Sequence, residues 1–151
     1  ADAGRGDHRE PVVIADLVRR AAESAARQPV TVLDTGAETL VVQGDKRRLE
    51  RVVTNLVENA DAHGHGCDTV SVERVNGCVR ILVEDRGRGV DPAQRERIFD
   101  RFARDGATLG PGVGLGLAIV AMHVHWHQGE VWVEDRSGGG ARFVVELPVR
   151  P

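Results

Sequence analysis

The sequence predicts an α+β two-layer sandwich, a mixed and mostly antiparallel sheet with helices packed on one face. Three observations carry that prediction. Residues 69–75 and 79–85 are β-rich runs joined through Asn76-Gly77, a dipeptide suited to a tight hairpin turn. Residues 45–63 place Leu49, Val52, Val53, Leu56, Val57 and Ala60 at three- and four-residue spacings, the mark of a helix with one apolar side. The remaining β-rich runs come mostly in pairs with helical stretches between them.

In chain order, residues 1–10 are small, polar and charged and read as a flexible lead-in, with residues 11–150 forming a single domain. Residues 12–14 look extended after Pro11, and 15–22 read as a first helix that must end before Pro29. The runs 30–33 and 39–42, separated by Asp34-Thr35-Gly36, read as a hairpin-like pair. Asp45 is placed to cap the long helix and Gly64-His65-Gly66 to stop it. A short helix is expected over 92–99, with Asp91 as cap and Pro92 in its first position. Residues 103–114 are glycine-rich and expected to be irregular and mobile, followed by a helix over 115–127 that stops near Gly129. Strands over 130–134 and 141–147 are joined by Arg136-Ser137-Gly138-Gly139-Gly140.

Composition narrows the function. At 151 residues the chain can bury a sufficient core without a disulfide or metal staple. Aromatic residues make up 3% and Tyr is absent, so the core must come from Val, Leu, Ile and Ala, and a base-stacking nucleic-acid reader is disfavoured. The formal charge of −3 gives no electrostatic footprint for nucleic acid or an anionic membrane. No run approaches 18 apolar residues, so no membrane contact is expected from this stretch. Cys67 and Cys78 form no CxxC pair and read as reduced thiols. Lys46 is the sole lysine, so a phosphate needing a cation must find Arg or His.

Three constellations carry chemistry. Asp85-Arg86-Gly87-Arg88-Gly89 ends a strand; an ionised carboxylate only accepts hydrogen bonds, so in an apolar pocket it selects an amine, and the glycines admit close approach. Taken alone, the motif reads more readily as a tight strand-to-helix turn than as a ligand site. Gly112-Val113-Gly114-Leu115-Gly116-Leu117 enters a helix, where free N–H groups favour an anion, although no Gly-Lys-Ser/Thr follows. Asn55 and Asn59, one turn apart on the long helix, border its apolar stripe, where an amide oxygen is a hard ligand for Mg²⁺.

In order and spacing these motifs resemble the N, G1, F and G2 boxes of the histidine-kinase ATP-binding domain, whose superfamily takes in DNA gyrase, the large heat-shock chaperone and mismatch-repair MutL. The matching stretches are Asn55-Leu-Val-Glu-Asn59-Ala60, Asp85-Arg-Gly-Arg-Gly89, Ile98-Phe99-Asp100-Arg101-Phe102 and Gly112-Val-Gly-Leu-Gly-Leu117, with an ending at 129–148 that is also similar. The resemblance implies a Bergerat-type ATP-binding fold of about five strands and about three helices, with a flexible lid at about 103–114. It implies ATP and Mg²⁺ as cofactors. Asp85 would then accept the adenine amino group, with Gly87, Gly89 and Val90 around the base and Asn59 holding Mg²⁺. Asn55 and His63 would lie beside the phosphates, Phe99 and Phe102 would be the hinge of the lid, and Gly112, Gly114, Leu115, Gly116 and Leu117 its phosphate-facing end. Asn55, Glu58 and Arg104 are the catalytic candidates.

One departure stands out: the position where family members often carry Lys or Arg is Ala62. No histidine lies in the family's His-Glu/Asp-x-x-x-Pro phosphoacceptor pattern. The resemblance therefore implies a kinase domain that phosphorylates a separate dimerisation module, with a response regulator downstream and a membrane-anchored parent holding this domain in the cytosol. The alternatives are a nucleotide-sensing module without catalysis and a serine kinase of the anti-sigma-factor type. His123 and His127, one turn apart, could share a metal, but no Asp, Glu or Cys at helical spacing completes a set; they read instead as a polar helix end with favourable late-turn cations.

Overall fold

The computed structural model describes residues 9–100 and 113–149. Its elements are β1 (Glu10–Val13), α1 (Ile14–Ala25), β2 (Thr31–Thr35), β3 (Val41–Gly44), α2 (Lys46–His63), β4 (Cys67–Val75), β5 (Cys78–Asp85), α3 (Val113–Trp126), β6 (Glu130–Asp135) and β7 (Ala141–Pro148). Five strands form one sheet in the order β2-β4-β5-β7-β6, antiparallel except for the β2–β4 pair. The two-layer α+β architecture is as expected. Alternation along β5 buries Val79, Ile81, Val83 and Asp85 and leaves Arg80, Leu82 and Glu84 half-buried on the open face.

The core lies between that inner face and the helices. α2 contributes Leu49, Val52, Val53, Leu56, Val57 and Ala60, all at most 1% exposed, as the periodicity requires. Asp45 caps it, its Oδ1 accepting the Arg48 N–H at 3.1 Å. Asn76 takes a left-handed φ of 55° in the β4–β5 turn, a conformation Asn tolerates.

Four expectations are corrected. The runs around 30–33 and 39–42 do not pair with each other. β2 runs parallel to β4, Thr31 opposite Thr69, while β3 pairs antiparallel with β1, Val42 opposite Val12. Both valines are thereby buried, and α2 lies in the crossover that a parallel pair requires. Glu10, expected to lie before the domain, pairs with Gly44 in β1. Residues 92–99 form two separate 3-10 turns, Pro92–Gln94 and Arg97–Phe99; the Asp91 side chain does cap the first, accepting the Ala93 N–H at 3.0 Å. Helix α3 begins at Val113, inside the stretch expected to be irregular; the rest of that stretch lies outside the described residues. Packing of Leu117, Val120 and Val124 into the core outweighs the low helix propensity of the glycines.

Candidate functional site

The site forms where the end of α2 meets the end of β5. α2 stops at Gly64, whose N–H reaches the Ala60 carbonyl at 2.8 Å. A Cβ on Gly64 would lie 2.3 Å from Asp85 Cγ, so only glycine lets the helix end rest on that carboxylate. The β6–β7 hairpin closes another side: a Cβ on Gly140 would stand 2.0 Å from the Asp85 carbonyl oxygen. Gly87 packs just as tightly, its Cβ position 2.7 Å from Gly64 Cα.

Asp85 is 4% exposed. Its Oδ1 accepts two backbone N–H bonds, from Gly87 at 2.9 Å and Ala141 at 3.1 Å. Oδ2 takes no hydrogen bond from a described residue and keeps its acceptor capacity. Directly across the ladder, the Cys67 thiol is pushed up to about 12 by burial first and then by Asp61, Asp85 and Asp68.

Along α2, Asn59 is half-buried and about 7.5 Å of helix rise before Gly64. Its amide bonds to no other described side chain or loop. One turn further back, Asn55 Nδ2 donates to the Gly116 carbonyl at 3.2 Å and ties α2 to the first turns of α3. Two of the sequence motifs are thus joined by one hydrogen bond. Surface cavities of about 440 Å³, by Phe99 and His125, and about 330 Å³, by Asp16 and Lys46, lie away from Asp85.

Residues 44–151 match the family described as histidine kinase-, DNA gyrase B-, and HSP90-like ATPase. The chain belongs to this family. It is 37% identical over 146 residues to the sensor-type histidine kinase PrrB of Mycobacterium tuberculosis, covering 94% of this chain and 32% of PrrB. The chain spans about a third of the length of that relative. The solved ATP-binding domain of PrrB from the same organism superposes with a TM-score of 0.77 at 34% identity, covering 96% of this chain and all of that one (100%). A nucleotide-free catalytic domain of the histidine kinase ThkA gives a TM-score of 0.80 at 26% identity, over 96% of this chain and 100% of the other.

Within this ATPase fold the remaining predicted residues fall as follows. Glu58, Ala62 and His63 are exposed on the last turns of α2. Gly89 has φ +77°, and Val90 packs on the edge of the core. Phe99 meets Phe143 edge-on, with ring centroids 6.1 Å apart. Gly114, Leu115 and Gly116 lie in α3, and Leu117 is 3% exposed. Phe102, Arg104 and Gly112 lie outside the described residues.

The histidine reading needs correction. His127 is 3% exposed, Nδ1 donating to the His123 carbonyl at 2.7 Å and Nε2 accepting the Asp45 N–H at 3.0 Å. Both ring nitrogens are committed, so it is neither a late-turn cation nor half of a metal pair. Burial is the main force holding both imidazoles below the ordinary histidine range. Sequence reasoning also missed Gly64, Gly140 and Ala141 as the residues packed against Asp85. The run of three glycines at 138–140 was the available signal.

Proposed function

We propose that this chain is the ATP-binding catalytic domain of a sensor histidine kinase, passing the γ-phosphate of ATP to a histidine on a separate dimerisation and phosphoacceptor module. Asp85 carries the proposal. A buried carboxylate with one oxygen held by two backbone donors and the other free fits the exocyclic amine of adenine. The family and the PrrB relationship support the same reading.

The residues present also fit Mg²⁺. Asn59 offers a half-buried neutral amide with no competing partner among the described residues, the kind of single hard ligand a phosphate-bound Mg²⁺ takes. When bound, that ion would neutralise charge between the phosphates. Asn55 positions the start of α3 through Gly116, beside the expected phosphate path. Arg104 is the candidate for offsetting γ-phosphate charge, and Glu58 remains a catalytic candidate beside Asn59. Much of the rate in phosphoryl transfer comes from holding donor and acceptor together, so the chain alone should turn over ATP very slowly.

Among the described residues no helix is long and apolar enough to cross a membrane. The proposal places this domain in the cytosol, in a membrane-anchored parent that signals to a response regulator. Calorimetry with ATP, ADP and GTP, with and without Mg²⁺, tests the site. Adenine nucleotides should bind preferentially. Asp85→Asn should weaken ATP by roughly 1.5–3 kcal/mol, the worth of a charge-assisted hydrogen bond. Asn59→Ala should abolish the Mg²⁺ dependence. Mixing the chain with its phosphoacceptor module should yield acid-labile phosphate. If both variants bind Mg²⁺–ATP like the parent, the assignment is wrong.

A further inference from the structure

Asp68 lies outside the regular ladder. Cys67 pairs with Asp85 and Thr69 with Glu84, so Asp68 is the extra residue of a β-bulge, a device that re-aims a side chain. Its Oδ1 meets Arg86 Nε at 3.2 Å, and its Oδ2 accepts from Arg136 Nη2 and, at 3.1 Å, from Thr69 Oγ1. Arg136, only 16% exposed in its side chain, also approaches Glu84 at 3.9 Å. One bulged carboxylate therefore joins the residue that follows Asp85 to the base of the β6–β7 hairpin.

That hairpin needs an external tie. Gly138, Gly139 and Gly140 all have positive φ (89°, 108° and 103°), and such a run has little rigidity of its own. Arg136 N–H donates to the Gly140 carbonyl and Gly139 N–H to the Arg136 carbonyl, both at 3.0 Å. The next residue, Ala141, gives its N–H to Asp85 Oδ1. A connected path runs from Asp68 through Arg136 and Gly140 to the oxygen that decides how Asp85 is turned.

We propose that Asp68 and Arg136 are positioning residues for base selectivity: their ion pair pins the hairpin so that Ala141 holds Oδ1 and Oδ2 stays presented to the 6-amino group of the purine. This rests on reading Asp85 as the adenine acceptor. An exposed ion pair of ordinary kind would contribute little and would not touch selectivity.

The test compares ADP with inosine diphosphate, which carries a 6-oxo group in place of the amine, by calorimetry on the 151-residue chain. The parent should prefer ADP, and Asp85→Asn should collapse the preference. Arg136→Ala and Asp68→Asn should each narrow the ADP-to-inosine ratio by roughly three- to tenfold, the size of coupling through one shared network, while inosine diphosphate binding barely changes. Arg136→Lys, which keeps the charge without the planar fork, should restore part of the ratio. Thermal melting reports whether each variant folds, and Asp68→Asn and Arg136→Lys carry the test if Arg136→Ala does not. If Asp85→Asn collapses the ratio while Arg136→Ala and Asp68→Asn leave it intact, or weaken both nucleotides equally, the positioning role is overturned alone. A parent that cannot tell the two nucleotides apart overturns the Asp85 reading and this one with it.

Discussion

Mild acid should destabilise the domain through His127. Its imidazole is buried between α3 and the N-cap of α2, and a Cβ on Gly44 would come within 2.6 Å of Nε2. Its two backbone partners demand the neutral ring with hydrogen on Nδ1, because Nε2 must accept the Asp45 N–H. A proton on Nε2 would face that N–H as donor against donor. Burial is the largest cause lowering its pKa, aided by Arg9 and Arg48 and opposed by the His123 carbonyl bond and Asp45. The unfolded chain takes up this proton near the ordinary histidine value of about 6.5, the folded chain only at lower pH. Between those values the unfolded state binds more protons, so stability is fully present above about pH 6.5 and falls with acidification. From pH 7.5 to 5.5 the loss is at most about 1.4 kcal/mol, reached if the folded ring stays neutral throughout. For a domain of this size that is a fall in Tm of about 3–6 °C. Melting the parent and His127→Gln at pH 7.5, 6.5 and 5.5 isolates the contribution. The variant should be less stable at pH 7.5 but should lose less on acidification. Equal pH slopes for the two proteins would refute the reasoning.

Other substitutions probe the pocket. Gly140→Ala should destabilise the fold by about 2–4 kcal/mol, since the methyl meets the Asp85 carbonyl and φ of +103° is strained for alanine; a change below about 0.5 kcal/mol in urea denaturation would contradict the packing. Cys67, buried and with its thiol pushed up to about 12, should resist iodoacetamide at pH 8 while the half-buried Cys78 reacts, and peptide mapping that finds Cys67 labelled first would contradict the buried site. Ala62→Lys should tighten ATP and steepen its salt dependence by adding a cation to the exposed last turn of α2; an unchanged salt slope would show that the missing charge has no part in binding.

What the sequence revealed of the fold was its local part. Asp45, the apolar spacing through Ala60 and the Gly64 stop define α2 within one stretch of chain, and Asn76-Gly77 defines its hairpin the same way. β2 was misread because its partner, β4, is distant: Thr31 meets Thr69 only after β3 and α2 have intervened. The nearer run around 39–42 offered a plausible partner, and nothing in either run's residues told the two pairings apart. His127 failed for the same reason. Its hydrogen-bond partner Asp45 is 82 positions away, and a histidine at a helix end looks the same in sequence whether it faces water or a buried amide.

The candidate site divides along the same line. Asp85, Asn55, Asn59 and the glycines stand out as candidates because the chemistry they suit is written in their residue types and short spacings. The geometry that fixes how the Asp85 carboxylate is turned is not local to it. One carboxylate oxygen is consumed by Gly87 and by Ala141, the latter 56 positions on, and the other is left over. Nothing in the sequence singles out Asp68 or Arg136; the register of β4 against β5 shows Asp68 to be the bulged residue, paired with Arg136. On the proposed reading, a carboxylate at the end of a strand is therefore only a precondition for an adenine contact. Which oxygen it presents depends on three chain segments meeting at Gly64, Asp85 and Gly140, and a homologous sequence with the same aspartate but a bulky residue at either glycine position could not pack these segments so closely.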